Sequence, residues 1–279
     1  MKRFLPLLTL LGLACGVHAQ TITLKDGKTI PSSHLRRDGA TVMTTTTVGS
    51  SLGEIGYAVA QIDSIQFPEP PQLKDANALI AAGKLDQALS AIEPVITFYR
   101  PFRDIKGNFW GDAAVLKLSI FIAQKRVADA NGIISEMLEN NTNPDVVASA
   151  KASKTLLLAW AGKSKEALAA SDQIINSDAS DSATLSLAYL ANGEAHYALK
   201  EYEDAVMAFL HVPIFFPDQT LLMPKALIGS ARSFAKLDSK NELDSAIQTL
   251  AESYSTSPEF NEAKTEFPSS IRRFKSIKN

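Results

Sequence analysis

The chain has 279 residues, of which 46% are hydrophobic and 21% are charged. This composition is typical of a folded protein with room for one or two domains, and it excludes a disordered chain. Lys and Arg number 28 and Asp and Glu number 30, which gives a formal net charge of −2. Because nucleic-acid binding requires a basic surplus, we expect no nucleic-acid partner.

The N-terminus has the pattern of a secretory signal peptide, residues 1–19. Lys2 and Arg3 precede an apolar run over 4–14 that is too short to span a bilayer, and residues 17–19 form a small-residue cleavage site. We expect cleavage after Ala19, no transmembrane segment in the mature chain, and a periplasmic or secreted location. A retained membrane anchor is the alternative.

Cys15 is the only cysteine in the sequence, and it lies within the leader. The mature chain therefore has no disulfide, no thiol nucleophile and no Cys-ligated metal. Lipidation at Cys15, which would make an outer-membrane lipoprotein, is the less favoured alternative. Gly12 stands where a lipid-attachment motif usually has leucine.

Residues 20–67 alternate polar and apolar side chains between tight turns, and this pattern predicts four or five short strands. Asp26-Gly27 and Asp38-Gly39 are the turn signals. This segment, which we call the β head, resembles the small SH3-like or Sm-like barrels that open with a T-L-x-D-G strand and turn. The resemblance covers about fifty residues. The threonine run 44–47 is either a ligand edge or, the favoured interpretation, a solvated strand face.

Three prolines within 68–71 predict a stiff, extended spacer, and we place a Pro-rich linker over 68–72. From residue 73 to 267 the apolar residues recur with the helical period. The residues 268–279 that follow carry four bases and no acid, which predicts a basic tail. That tail is either frayed in solvent or in contact with anionic polymers.

The stretch 189–217 reads as two amphipathic helices joined by a charged turn, and it resembles a tetratricopeptide repeat. The matching positions are Tyr189, Gly193, Tyr202, Ala205, Phe209 and Pro217. Fainter copies are marked by small residues in their second helices, at Ala88, Ala130, Ala167 and Ala246, with a longer turn in the last copy at 238–241. The resemblance implies a mainly α chain, in which a tetratricopeptide-like α-α superhelix follows the small β-barrel-like head.

In such a superhelix the first helices of the repeats line a concave groove. The resemblance places five residues on that surface: Asn77, Leu156, Trp160, Glu194 and Tyr197. The last two repeats also resemble those of bacterial envelope proteins, namely the periplasmic Tol-Pal-associated and outer-membrane-assembly repeat proteins. This likeness implies partners among other envelope proteins.

The connection over 99–110 is unusual because it combines aromatic and basic side chains between two helices. Its aromatic residues are Tyr99, Phe102, Phe109 and Trp110. Aromatic anchors next to arginine are typical of binding hot spots. The alternative, which we favour, is that these side chains fold back and are buried.

No phosphate-binding glycine loop, nucleophile elbow or zinc-binding H-E-x-x-H helix is present in the sequence. His196 and His211 could share a metal, but packing at a helix interface is the favoured interpretation. The acids Glu201, Glu203 and Asp204 fit the start of a helix, where they favour its dipole. We therefore predict no catalytic residue, no metal and no cofactor.

The sequence thus predicts a non-enzymatic interaction scaffold of the periplasm or cell envelope that holds a partner segment in its groove. A structural protein that self-associates is an alternative from another class. A glycan-binding module located in the β head is a third possibility.

Overall fold

The computed structural model describes residues 20–48, 51–139, 143–177 and 181–277. The predicted signal peptide, with its cleavage site and Cys15, lies outside the described residues. The chain divides into two compact units, residues 1–68 and residues 69–279.

The N-terminal unit is an antiparallel sheet of five strands in the order β4-β3-β2-β1-β5. This confirms the predicted four or five strands. The described pairing leaves β4 and β5 as edge strands, so closure into a barrel stays a prediction. The strands are β1 (Gln20–Leu24), β2 (Thr29–Asp38), β3 (Thr41–Val48), β4 (Ser51–Ala58) and β5 (Ile62–Gln66).

The two predicted turns of this unit are confirmed, because Gly27 and Gly39 both adopt left-handed backbone angles between strands. Ile22, Val42 and Ile65 are buried in the core of the sheet. Thr44 is also buried, and its hydroxyl donates to the Ser33 carbonyl at 3.1 Å. Thr44 is therefore part of the packed interior and not of a solvated face.

The second unit is entirely helical in its described part. Its first helix begins at Pro71, so the last two residues of the predicted linker are helical. Proline is compatible with the first turn of a helix because its missing N–H would have no partner there. The helices are α1 (Pro71–Ala81), α2 (Leu85–Tyr99), α3 (Trp110–Ala123), α4 (Val127–Leu138), α5 (Pro144–Trp160), α6 (Ser164–Ile175), α7 (Ser182–Leu199), α8 (Tyr202–Phe215), α9 (Met223–Lys236), α10 (Lys240–Ser253), α11 (Pro258–Glu266) and α12 (Pro268–Ile277).

The first ten helices form five hairpins that share one turn. Each turn contains one residue with left-handed backbone angles, and in every case the residue after it donates its N–H to a carbonyl in the last turn of the first helix. In the first hairpin, for example, Lys84 N–H bonds to Leu79 C=O at 2.8 Å. This is the Schellman closure of a helix end. The left-handed residues are Gly83, Lys125, Gly162, Lys200 and Asp238.

The shared turn corrects the predicted register of the fifth hairpin. In the first four hairpins a fully buried alanine lies five residues after the left-handed residue. In the fifth hairpin that position is Leu243, so Ala246 lies almost one helical turn later than its predicted equivalent. The predicted longer turn is also wrong, because α10 already begins at Lys240.

The ring of Phe209 joins three helices at the stretch that most resembles a tetratricopeptide repeat. A Cβ placed on Gly193 of α7 would lie 2.7 Å from this ring, and one on Gly229 of α9 would lie 2.6 Å from it. Both distances are too short for a real contact. The two glycines therefore allow α7 and α9 to approach α8 on either side of one buried aromatic residue.

The C-terminal segment is not the frayed tail that we favoured from the sequence. Residues 268–277 form α12, in which Ser270 and Ile271 are buried and Arg273 pairs with Asp244 at 2.8 Å. Ile271 joins the apolar cluster formed by α9 and α10. Among the side chains of α12 that the structure describes, Ile271 supplies apolar packing that the basic composition concealed.

We expect Gly193→Ala and Gly229→Ala each to lower the free energy of unfolding by about 1–3 kcal/mol, because the new methyl group must displace the buried Phe209 ring. Urea unfolding of the mature chain measures this change. Gly132→Ala in α4 is the matched control, since a Cβ there meets nothing within 4 Å. It should raise stability by up to about 1 kcal/mol through helix propensity. Equal effects at the three positions would contradict the packing role of the two glycines.

Candidate functional site

The five predicted groove residues do not share one open surface. Leu156 is fully buried, so its predicted contact with a partner is wrong. α5 packs against α3, α6 and α7, and these contacts enclose the side chain. Trp160, Glu194 and Tyr197 are half-buried, and only Asn77 is exposed.

The inner surface is closed at one end by a buried ion pair. Lys225 of α9 lies 2.5 Å from the Glu259 carboxylate of α11, and both side chains are 3% exposed. The same ammonium donates to the carbonyl of Ala123 at the end of α3, at 2.9 Å. The fifth hairpin and α11 are therefore fixed against the second hairpin, 102 residues earlier in the sequence.

A second ion pair reinforces this closure, because Lys125 in the α3–α4 turn contacts Glu262 of α11 at 2.9 Å. Arg232 of α9 also pairs with Glu262, at 2.7 Å, and with Glu266. α9 and α11 thus pack against the C-terminal end of α3 and the α3–α4 turn. A cavity of about 370 Å³ lies beside this contact, and Ala123, Pro224 and Glu259 are among the residues that line it.

Glu194 of α7 lies beside this charged cluster. Burial raises the pKa of its carboxyl, although the charge of Arg232 and a hydrogen bond from Trp160 act in the opposite direction. Tyr197 packs on Tyr202, with ring centroids 5.6 Å apart. Trp160, Glu194 and Tyr197 therefore have packing partners inside the chain.

The first helices of four hairpins, α1, α3, α5 and α7, are the inner helices, and they line a groove that reaches from their N-terminal ends as far as Ile80 of α1 and Ile122 of α3. It consists of two adjoining cavities of about 240 and 420 Å³. They are lined by α1, α3, α5 and α7, and the smaller cavity is also lined by the α8–α9 connection. The residues that line both cavities are Asn77, Val115, Leu116, Ser149 and Ala183. We call this surface the open groove.

The open groove has an apolar floor and an acidic rim. The smaller cavity is lined by Leu118, Ile122 and Leu187, among other apolar residues. The carboxylates that line the two cavities are Glu69, Asp112, Asp145, Asp181 and Asp218, and no Lys, Arg or His lines either of them. The groove therefore presents negative charge over a partly apolar surface.

These carboxylates occupy equivalent places, at or just before the start of successive inner helices. Asp181 caps α7 by accepting hydrogen bonds from the N–H and the hydroxyl of Thr184, both at 2.9 Å. Asp112 is exposed, but the surrounding protein removes part of its hydration and Glu69 adds negative charge, and both effects raise the pKa of Asp112.

Sequence reasoning missed the acidic rim, although a signal was present. An acid precedes or begins each first helix, at intervals of 33 to 43 residues that match the repeat. Each acid taken alone is explained by the helix dipole. These acids lie on one side of the groove only because the inner helices pack next to one another.

Ser153 lines the smaller cavity and is fully buried, and its hydroxyl has no hydrogen-bond partner. Buried hydroxyl groups are usually hydrogen-bonded, because a lost bond to water is costly. Ser186 of α7 shows the ordinary case: it is equally buried, and its hydroxyl donates to the Ala183 carbonyl at 2.8 Å.

The aromatic connection is mostly buried, so its prediction as a partner surface is wrong for three of its four aromatic residues. Tyr99, Phe102 and Trp110 are at most 5% exposed, and Phe109 is half-buried. Asn108 organises the segment by donating to the Ile105 carbonyl at 2.6 Å and accepting from the Trp110 N–H at 2.7 Å. Their burial agrees with the favoured alternative, in which the aromatic side chains fold back into the protein.

Within the described residues, one group has the spacing to hold a metal ion. Its potential ligand atoms, from His196, Glu201 and Asp204, lie within 4.8 Å of one another. His196 Nδ1 lies 2.7 Å from a Glu201 oxygen across the hairpin turn. His211 stacks on Tyr189, with ring centroids 4.1 Å apart, and takes no part in this group. Because a hydrogen-bonded turn explains the same contacts, we assign no metal.

No protein-family model matches this chain, and no curated protein is significantly similar to it. Among the described helices, none combines the length and the apolar character needed to cross a bilayer. The functional argument therefore rests on the open groove.

We expect Ser153→Ala to raise the free energy of unfolding by about 1–2 kcal/mol, because it removes an unpaired buried hydroxyl and favours the helix. Chemical unfolding of the mature chain measures the change. Ser186→Ala is the matched control, and its gain should be smaller because a hydrogen bond is lost. A larger gain at Ser186 than at Ser153 would contradict this account.

Glu194→Gln should stabilise the protein increasingly as the pH rises. The pKa of Glu194 is raised in the folded state, so the folded wild type loses stability as the pH rises from the unfolded-state pKa through the folded-state pKa. Glutamine stays neutral and has no such loss. Urea unfolding of both proteins from pH 4 to pH 8 tests this, and a stability difference that does not change with pH would contradict it.

Proposed function

We propose that this protein is a non-enzymatic interaction scaffold of the cell envelope, which holds an extended segment of another protein in the open groove. The observation that carries the proposal is the pair of adjoining cavities on the inner helices α1, α3, α5 and α7. Sites that bind a segment combine apolar pockets with a few placed polar groups, and the groove offers both.

The class of protein is supported by the five hairpins with a common turn, which agree with the resemblance to tetratricopeptide repeats. Stacked hairpins of this kind expose the inner helices as an extended surface for a partner. The envelope location is supported by the leader pattern of residues 1–19 and by the absence of cysteine from the rest of the sequence.

In the proposed mechanism the partner segment crosses the inner helices near their N-terminal ends. The half-buried side chains of Val115 and Leu116 provide apolar contacts. Asn77 and Ser149, which line both cavities, provide polar contacts to the backbone of the segment. The role that we predicted for Leu156 and Glu194 thus passes to residues nearer the N-terminal ends of the same helices.

Photocrosslinking in the native host tests this function. A photoreactive amino acid at Val115 or Ala183 in the groove should give discrete adducts with a partner, in which mass spectrometry locates one short segment. The same amino acid at Gln173, on the exposed surface of α6, is the control and should give none of these adducts.

A groove-filling variant makes the test specific. Val115→Trp should remove the adducts formed at Ala183 while the thermal unfolding transition is retained. Adducts that persist in this variant, or that form equally at Gln173, would show that the groove does not hold the partner.

Self-association is a second candidate, because α8 carries an exposed apolar row. Met207, Ile214 and Phe215 are 61%, 62% and 63% exposed, and they share one face of the helix. The expected outcome is a concentration-dependent dimer in sedimentation equilibrium that Phe215→Ser abolishes. A monomer at all concentrations would exclude this candidate without affecting the groove.

A further inference from the structure

Two acids at helix starts outside the open groove are each paired with a base of their own hairpin. Asp129 at the start of α4 binds Arg126 at 2.7 Å, and Glu166 at the start of α6 binds Lys163 at 3.6 Å. These are second helices of the hairpins. Among the described residues, the five groove carboxylates form no salt bridge with a Lys, Arg or His side chain.

The bases nearest to the inner surface are used elsewhere. Lys125, Lys225 and Arg232 are paired with acids of α11 at the closed end of the concave surface. The positive charge that could neutralise the rim is therefore committed to closing the superhelix. An incoming cation would meet five carboxylates that have no competing partner of this kind.

We propose that the segment held in the open groove is an extended, cationic stretch of another protein, with Lys or Arg side chains on the acidic rim and apolar contacts to the floor. This inference rests on the proposed function and adds the chemistry of the partner to it. It predicts that the groove rejects acidic and neutral segments of the same length.

The spacing of the inner helices sets the pattern of the segment. Four neighbouring helices with axes about 8–10 Å apart span roughly 24–30 Å. An extended chain rises about 3.3 Å per residue, so about eight residues cross the groove, with one carboxylate for roughly every third residue. Lysine at every third position is therefore the best match to the rim.

Fluorescence anisotropy with labelled nonapeptides tests this pattern on the mature chain. The probe repeats Lys-Ala-Ala three times. One comparison peptide replaces each lysine by glutamine, another replaces it by glutamate, and a third has the same composition with its three lysines in one block. We expect the spaced lysine probe to bind at least about tenfold more tightly than the glutamine peptide, and more tightly than the blocked isomer.

Matched variants assign the binding to the rim. Asp112→Asn and Asp145→Asn should each weaken binding of the spaced lysine probe by about two- to fivefold. Asp129→Asn removes an equivalent helix-start charge outside the groove and should leave binding unchanged.

Three results would overturn the inference. The first is equal binding of the lysine and glutamine peptides, and the second is a loss of binding for Asp129→Asn that equals the loss for the two rim variants. The third is displacement of the labelled probe by spermidine at a concentration similar to that at which the unlabelled lysine peptide displaces it. Selection from a random twelve-residue peptide library separates the two proposals. Enriched peptides that are blocked by Val115→Trp but lack Lys and Arg would refute the cationic partner and keep the groove function. If no enriched peptide depends on the groove, both proposals fail.

Discussion

The contact that decides the shape of the inner surface is the buried ammonium of Lys225, shared between the Glu259 carboxylate and the Ala123 carbonyl. Two charges withdrawn from water are tolerated only when they are paired and hydrogen-bonded, so the three groups must stay together. This requirement holds α9 and α11 against the end of α3. The part of α3 that a partner can reach therefore depends on where α9 and α11 lie.

The Lys225 contact is also part of a separation of charge along the inner helices. At their C-terminal ends, bases of α9 and of the α3–α4 turn are matched with the acids of α11. At their N-terminal ends, acids stand over an apolar floor with Ser153 beneath them. Each acid gains from the dipole of its own helix, which explains how several like charges can share one rim without disrupting the fold. Stability and recognition thus depend on different residues of the same helices.

Helical periodicity and turn signals were sufficient to predict the β unit, the helical hairpins and the repeated small residue of their second helices. They succeeded because these features depend on neighbours in the chain, such as the left-handed turn at Gly83 or Gly162. The fifth hairpin was misaligned because Leu243 replaces the small residue there. α12 was missed because its basic composition concealed the apolar packing of Ile271.

The sequence by itself determined the class of fold, the boundary near the prolines and the absence of cysteine after the leader. Only the tertiary structure decided which residues of the inner helices a partner can reach. Leu156 and Glu194 satisfy the sequence pattern of a groove, but contacts between helices far apart in the sequence enclose Leu156 and place Glu194 beside the charges of α9. Asp112, Asp145 and Ser153 carry no local signature of a site, because a groove is a property of neighbouring helices and not of one helix.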